Sequence, residues 1–133
     1  MGGSVGCFTV AAAGRSAFMA WITGRATAGD TFGALETAVE SFRYFEKTFG
    51  EYPYSTYTVA ETGFCYGGME YPALSLISDT LKESDRVRVT AHETAHQWWY
   101  AVVGSDQIEN AWQDEGLAEY SALTFFETYE KYG

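Results

Sequence analysis

The chain is poor in residues that punctuate or cross-link: it has two prolines and two cysteines among 133 residues. Cys7 and Cys65 cannot make a disulfide framework. They read as two small buried hydrophobes, and a single bridge between them would point to an oxidising compartment. Basic residues are scarce too. Eight Lys and Arg face eighteen Asp and Glu, a net charge of −10. That balance argues against a basic face for nucleic acid and against an anionic membrane surface as partner. No apolar run approaches the ~18 residues of a membrane span. Met1 to Val5 lacks a basic segment followed by an apolar one, so no signal peptide is read there. Repeats, low-complexity tracts and Pro- or Ser-rich linkers are missing. What is present is apolar: 47% of residues are hydrophobic and 17% aromatic, which excludes global disorder. The length suits one domain over 1–133.

Residues 5–13 and 17–23 are apolar runs separated by Gly14-Arg15. They read as strands, although their alanines also suit helix. Residues 30–49 read as an amphipathic helix, with Phe32, Leu35, Val39, Phe42, Phe45 and Phe49 at steps of three and four. Asp30 or Thr31 can cap it and Gly50 stops it. The aromatic stripe reads as core. Ser55 to Glu61 reads as a strand, and Gly63, Gly67 and Gly68 punctuate a turn. Glu70 to Ser78 is extended at its start, where Pro72 indicates a sheet edge. Residues 79–84 read as a polar loop. A helix is expected over 85–103, with Val89, His92, His96, Trp99 and Val103 on one face and Gly104 as its stop. A polar loop at 105–111 leads to a second helix over 113–129, where Glu115, Glu119, Ala122 and Phe126 share a face. Sheet elements first and a helix pair last predict an α+β fold, with 1–81 mainly sheet and one helix and 82–133 the helix pair.

The only two histidines, His92 and His96, lie four residues apart with Glu93 between them. On a helix they stack on one face, where two imidazoles can bind one Zn²⁺ at about 2.0–2.1 Å each. Glu93 then sits where a general base could meet a metal-activated water. A chance match at this composition is on the order of a few in a thousand. Two imidazoles buried side by side without a partner would be costly. A catalytic zinc takes three protein ligands and keeps one position open. Glu115, nineteen residues beyond His96, is the third candidate. The first helix is expected to continue roughly 11 Å past His96 at 1.5 Å per residue, and the loop can return that distance. An acid at a helix start is also favoured by the helix dipole alone.

His92-Glu93-Thr94-Ala95-His96-Gln97-Trp98-Trp99, followed after eighteen residues by Glu115 within Trp112-Gln113-Asp114-Glu115-Gly116-Leu117-Ala118-Glu119-Tyr120, resembles the gluzincin zinc metallo-aminopeptidases typified by aminopeptidase N. Gly67-Gly68-Met69-Glu70-Tyr71 resembles that family's exopeptidase motif, and Phe49-Gly50-Glu51-Tyr52-Pro53-Tyr54 its stretch before a strand. The resemblance spans roughly 30–125. It implies part of a thermolysin-like catalytic domain that removes N-terminal residues from peptides. His92, His96 and Glu115 would hold zinc, and Glu93 would activate water. Glu70 would bind the substrate's free α-amine, while Gly67, Gly68 and Met69 of the same motif would help bind an extended substrate at a sheet edge. Glu119, one turn past Glu115, would orient a ligand histidine; a solvent-facing acid is the plain alternative. Trp98, Trp99 and Trp112 are expected to pack around the site.

There are departures from the family pattern. Tyr71 stands where the motif most often has Asn. The family stabilises its tetrahedral intermediate with a tyrosine well downstream of the second helix. The chain ends at Gly133, before that position, and Tyr120, Tyr129 and Tyr132 do not match by spacing. Family members are several times longer, so the chain reads as an excised piece of a catalytic domain, and self-association through apolar surface uncovered by truncation is expected. Two other readings remain at this point: a non-catalytic zinc-binding module, and an endopeptidase, against which Glu70 and its glycines argue.

Overall fold

Apolar patterning yields a mixed sheet with helices against it. The computed structural model describes residues 6–13, 16–22, 31–63 and 65–129, with side chains from Gly33 onward. β1 (Gly6–Ala13) and β2 (Ser16–Ile22) pair antiparallel, so the two apolar runs are strands and not helices. β3 (Thr56–Thr62) pairs antiparallel with β1 and parallel with β5 (Leu74–Ser78). β4 (Gly68–Tyr71) lies antiparallel to β5. The five-stranded order β2-β1-β3-β5-β4 leaves β4 at an edge.

The 70–78 segment is a hairpin, where the sequence suggested one run extended at its start. Tyr71 pairs with Leu74, so Pro72 and Ala73 form the turn. Ala73 adopts φ 61, a conformation that costs an alanine roughly 1–2 kcal/mol. Two hydrogen bonds hold it there: its N–H donates to Gln97 Oε1 at 2.8 Å, and its carbonyl accepts from Thr58 N at 2.9 Å.

The three helices are α1 (Thr31–Phe49), α2 (Glu83–Ala95) and α3 (Trp112–Thr128). On α1, Leu35, Val39, Phe42 and Phe45 are buried as the stripe predicts, and Phe49 packs against them. The Phe32 side chain and the cap at Asp30 or Thr31 lie outside the described residues. Phe42 meets Tyr52 at 5.1 Å and Trp98 at 5.3 Å between ring centroids, and Phe45 reaches Phe125 of α3 at 6.2 Å. The architecture is α+β, with α2 between the sheet and the other helices.

α2 ends at Ala95, with His96 as its C-cap, and does not run on to Val103. The ladder tightens to three-residue bonds, Gln97 N to Thr94 O at 3.1 Å and Trp98 N to Ala95 O at 3.0 Å. Trp98 is 3% exposed and donates its indole N–H to Gly50 O at 3.0 Å. A long-range anchor therefore overrides the local period. Tyr100 at φ 123 and a bridge between Trp99 and Val103 complete the turn. Two smaller expectations also fail. Cys65 is exposed and free, and Trp112 is 70% exposed; it does not pack around the site. Among the described residues no helix is long and apolar enough to cross a membrane.

Candidate metal centre

One face of α2 is fastened to the sheet. Tyr57 OH donates to Ser75 Oγ at 2.9 Å and lies 3.2 Å from Thr94 Oγ1. Ser75 Oγ donates to the carbonyl of Glu93 at 3.2 Å. Gln97, fully buried, ties the helix end to the hairpin: its Oε1 also accepts from Tyr52 OH at 2.9 Å, and its Nε2 donates to Tyr71 O at 3.1 Å. With that face fixed, the opposite face turns His92, Glu93 and His96 toward α3 and β4.

The two imidazoles converge. His92 Nε2 lies 3.1 Å from His96 Nε2 and 3.2 Å from Glu115 Oε2, and His96 Nε2 lies 3.7 Å from that same oxygen. Each ring is held from behind. His92 Nδ1 is 3.1 Å from Glu119 Oε2, and His96 Nδ1 is 3.1 Å from the carbonyl of Trp99. Both partners are acceptors, so each Nδ1 can donate to the group behind it and leave its Nε2 to offer a lone pair to a metal. Two nitrogen lone pairs and a carboxylate oxygen then face one another. In a tetrahedron with bonds of about 2.0–2.1 Å, ligand atoms stand about 3.3 Å apart, close to the spacing here. Two imidazoles and one carboxylate suit zinc. Burial, and then the neighbouring His92, lower the pKa of His96 and so favour its neutral ring, the form in which imidazole binds metals. The Arg88 guanidinium, hydrogen-bonded to Glu119, holds that carboxyl below its ordinary value.

Glu93 is 6% exposed, and its Oε2 has no hydrogen-bond partner among the described residues. Burial first, then the charges of Glu70 and Glu115, push its carboxyl up to about 8. A cation held beside it acts in the opposite sense. The Glu93 side chain lies across Gly68, where an added Cβ would fall within 2.6 Å of Glu93 Cδ and Cγ. Any side chain at Gly68 would therefore force Glu93 to move. Gly67 is not so constrained, since a Cβ there would make ordinary contact with Val89 at 3.6 Å.

Glu70 on β4 is 9% exposed, and ligand-type atoms of Glu70, Glu93 and His96 lie within 4.8 Å of one another. The same limit encloses His92, His96 and Glu115. Met69 neighbours Glu70 on β4, and strand alternation turns it to the other face. Of the residues singled out by sequence, the cleft thus gathers His92, Glu93, His96, Glu115, Glu119, Glu70 and Gly68, and Met69 stands apart. Sequence reasoning missed Gln107, whose Nε2 donates to Glu70 Oε1 at 2.9 Å and to Asp114 Oδ2 at 2.8 Å. It also missed Arg88 and Gln97. Arg88 and Gln107 lie outside the motifs, and Gln97 lies within one that gives it no role.

Residues 33–133 match the peptidase family M1 domain. The chain is 38% identical over 91 residues to leucine aminopeptidase 2-1 of Scheffersomyces stipitis, covering 65% of this chain and 14% of that protein. It is 35% identical over 82 residues to leukotriene A-4 hydrolase of Xenopus laevis, covering 59% of this chain and 14% of that protein. Leucine aminopeptidase 2 of Candida albicans is 37% identical over 91 residues, covering 65% of this chain and 15% of that protein. The chain thus spans about one-seventh of the length of these relatives. No solved structure matches it. A family match that runs from the first turn of α1 to the last residue, and takes in the whole cleft, makes this chain a member of peptidase family M1.

Proposed function

We propose that these residues are the zinc-binding core of an aminopeptidase, in which His92, His96 and Glu115 hold the metal. The observation that carries this reading is the convergence of His92 Nε2, His96 Nε2 and Glu115 Oε2 within 3.7 Å of one another, with each Nδ1 held from behind by an acceptor. Zinc bound there supplies Lewis-acid chemistry, polarising a carbonyl and acidifying water.

The remaining chemistry belongs to side chains. Glu93 takes a proton from the attacking water at its unpartnered oxygen and delivers it to the leaving amine. Its burial strengthens every electrostatic interaction it makes. Edge strand β4 offers backbone groups to an extended peptide. Glu70, buried on that strand, receives the α-ammonium group, whose charge offsets the cost of a buried carboxylate. A peptide anchored by its terminus at Glu70 can present only its first peptide bond to the metal. Glu119 and the Trp99 carbonyl hold the two rings in orientation.

The test is zinc titration of the metal-stripped protein by calorimetry, with Glu115→Ala as control, followed by hydrolysis of leucine p-nitroanilide and its N-acetyl derivative at full natural length. The expected result is about one zinc per chain, at least tenfold weaker binding in the control, and cleavage of the free-amine substrate only. Glu93→Gln should keep zinc and lose turnover. Zinc bound without hydrolysis would favour the non-catalytic module, and cleavage of the blocked substrate would favour an endopeptidase.

A further inference from the structure

We infer that Gln107 is a positioning residue for the Glu70 carboxylate, and that Asp114 holds Gln107 in place. This rests on the aminopeptidase reading and specifies how its amine site is built. The Gln107 amide group stands between two buried carboxylates. It donates to Glu70 Oε1 at 2.9 Å and to Asp114 Oδ2 at 2.8 Å. Glu70 is 9% exposed and Asp114 2%. One amide nitrogen has two hydrogens, and both are used, so the carboxamide plane is set by its two acceptors. With Oε1 engaged, rotation of the Glu70 carboxylate is restrained, and the direction of its other oxygen with it.

The backbone supports this aim. Gln107 lies between the α2 end and α3, in a turn organised by Asp106. Asp106 Oδ1 accepts from the N–H groups of Ile108 at 3.1 Å and Glu109 at 3.0 Å, and its carbonyl accepts from Asn110 N at 2.8 Å. The turn throws Ile108 outward, 90% exposed, and Gln107 inward. Asp114 immediately precedes Glu115, so the chain Glu70–Gln107–Asp114 ties the amine end of the cleft to its metal end.

The choice of a neutral donor has a physical logic. A lysine at this position would fix Glu70 equally well, but its charge would neutralise the carboxylate and compete with the substrate's ammonium group. A carboxamide orients the carboxylate and leaves its charge intact.

The experiment measures kcat and KM for leucine p-nitroanilide in the zinc-loaded protein at full natural length, with Gln107→Leu, Gln107→Lys, Glu70→Gln and the Gln107→Leu/Glu70→Gln double variant. Gln107→Leu should raise KM about tenfold, the equivalent of 1.4 kcal/mol, with kcat within about threefold and zinc content unchanged. Gln107→Lys should raise KM further. In the Glu70→Gln background, Gln107→Leu should add almost nothing, because its effect passes through the carboxylate. A merely structural role would be additive there and would lower thermal stability. If Glu70→Gln raises KM while both Gln107 variants leave it unchanged, the positioning role is wrong and the aminopeptidase reading stands. If Glu70→Gln is itself silent, both fall. Should Gln107→Leu fail to fold, the isosteric Gln107→Glu decides the matter, since it turns a donor into an acceptor facing two carboxylates and must raise KM at least as much.

Discussion

The aromatic core around α1 and the polar cleft between α2, α3 and β4 both bury side chains, but they are built on opposite rules, and the cleft opens to solvent at Glu115. In the core, Phe42, Phe45, Trp98 and Phe125 are at most 3% exposed, and the polar groups among them are satisfied: Tyr52 OH reaches Gln97, and the Trp98 indole N–H reaches Gly50 O. In the cleft, Glu93 is 6% exposed and Asp114 2%, yet Glu93 Oε2 and Asp114 Oδ1 have no hydrogen-bond partner among the described residues. Buried polar atoms without partners cost free energy. The core is therefore organised for stability. The cleft instead keeps buried carboxylate oxygens unpaired, at a cost that a bound cation would offset.

Four measurements would break or sharpen that contrast. Trp98→Ala removes a buried indole and its hydrogen bond, and should lower unfolding free energy by about 3–5 kcal/mol in urea denaturation; a loss below about 1 kcal/mol would mean the core is not the stable region. Glu119→Ala should weaken zinc binding about 10–100-fold by calorimetry, while the metal-free stability stays within about 0.5 kcal/mol. Equal loss in the metal-free state would make Glu119 structural. Glu93→Gln should stabilise the metal-free protein, by on the order of 1 kcal/mol, because it removes a buried charge. A destabilised variant in chelator would show that the cleft holds no such cost. Trp112→Ser should change stability by less than about 0.5 kcal/mol, since Trp112 is 70% exposed, the opposite extreme from Trp98.

Legibility followed the same divide. The α1 stripe was readable because helical burial depends on a period of 3.6 residues, which is a local property. His92 and His96 were readable for the same reason: four residues apart on one helix are neighbours whatever surrounds them. Glu115 meets the two histidines by a different route from the one expected. The expected long first helix stops at Ala95, and the turn through Tyr100, with the loop beyond it, brings α3 back to the site. The stop was hidden because Trp98 leaves the helix for Gly50, 48 residues earlier. Gln107 was hidden because a glutamine in a polar loop looks the same whether it faces water or two carboxylates. Trp112 and Cys65 misled in the other direction, since an apolar residue type gives only a tendency to be buried.

By itself the sequence determined the α+β class, the α1 core face, the one-turn pairing of the two histidines and the edge position of the Glu70 segment. Each follows from interactions within a few residues or from the period of a single element. Only the tertiary structure decided where α2 ends, that the 70–78 segment folds back as a hairpin on Gln97, and that Gln107 joins Glu70 to Asp114. Those features depend on side-chain amides and an indole N–H finding acceptors tens of residues away. A hydrogen bond of that kind is specified by how the whole chain packs, and no local pattern records it.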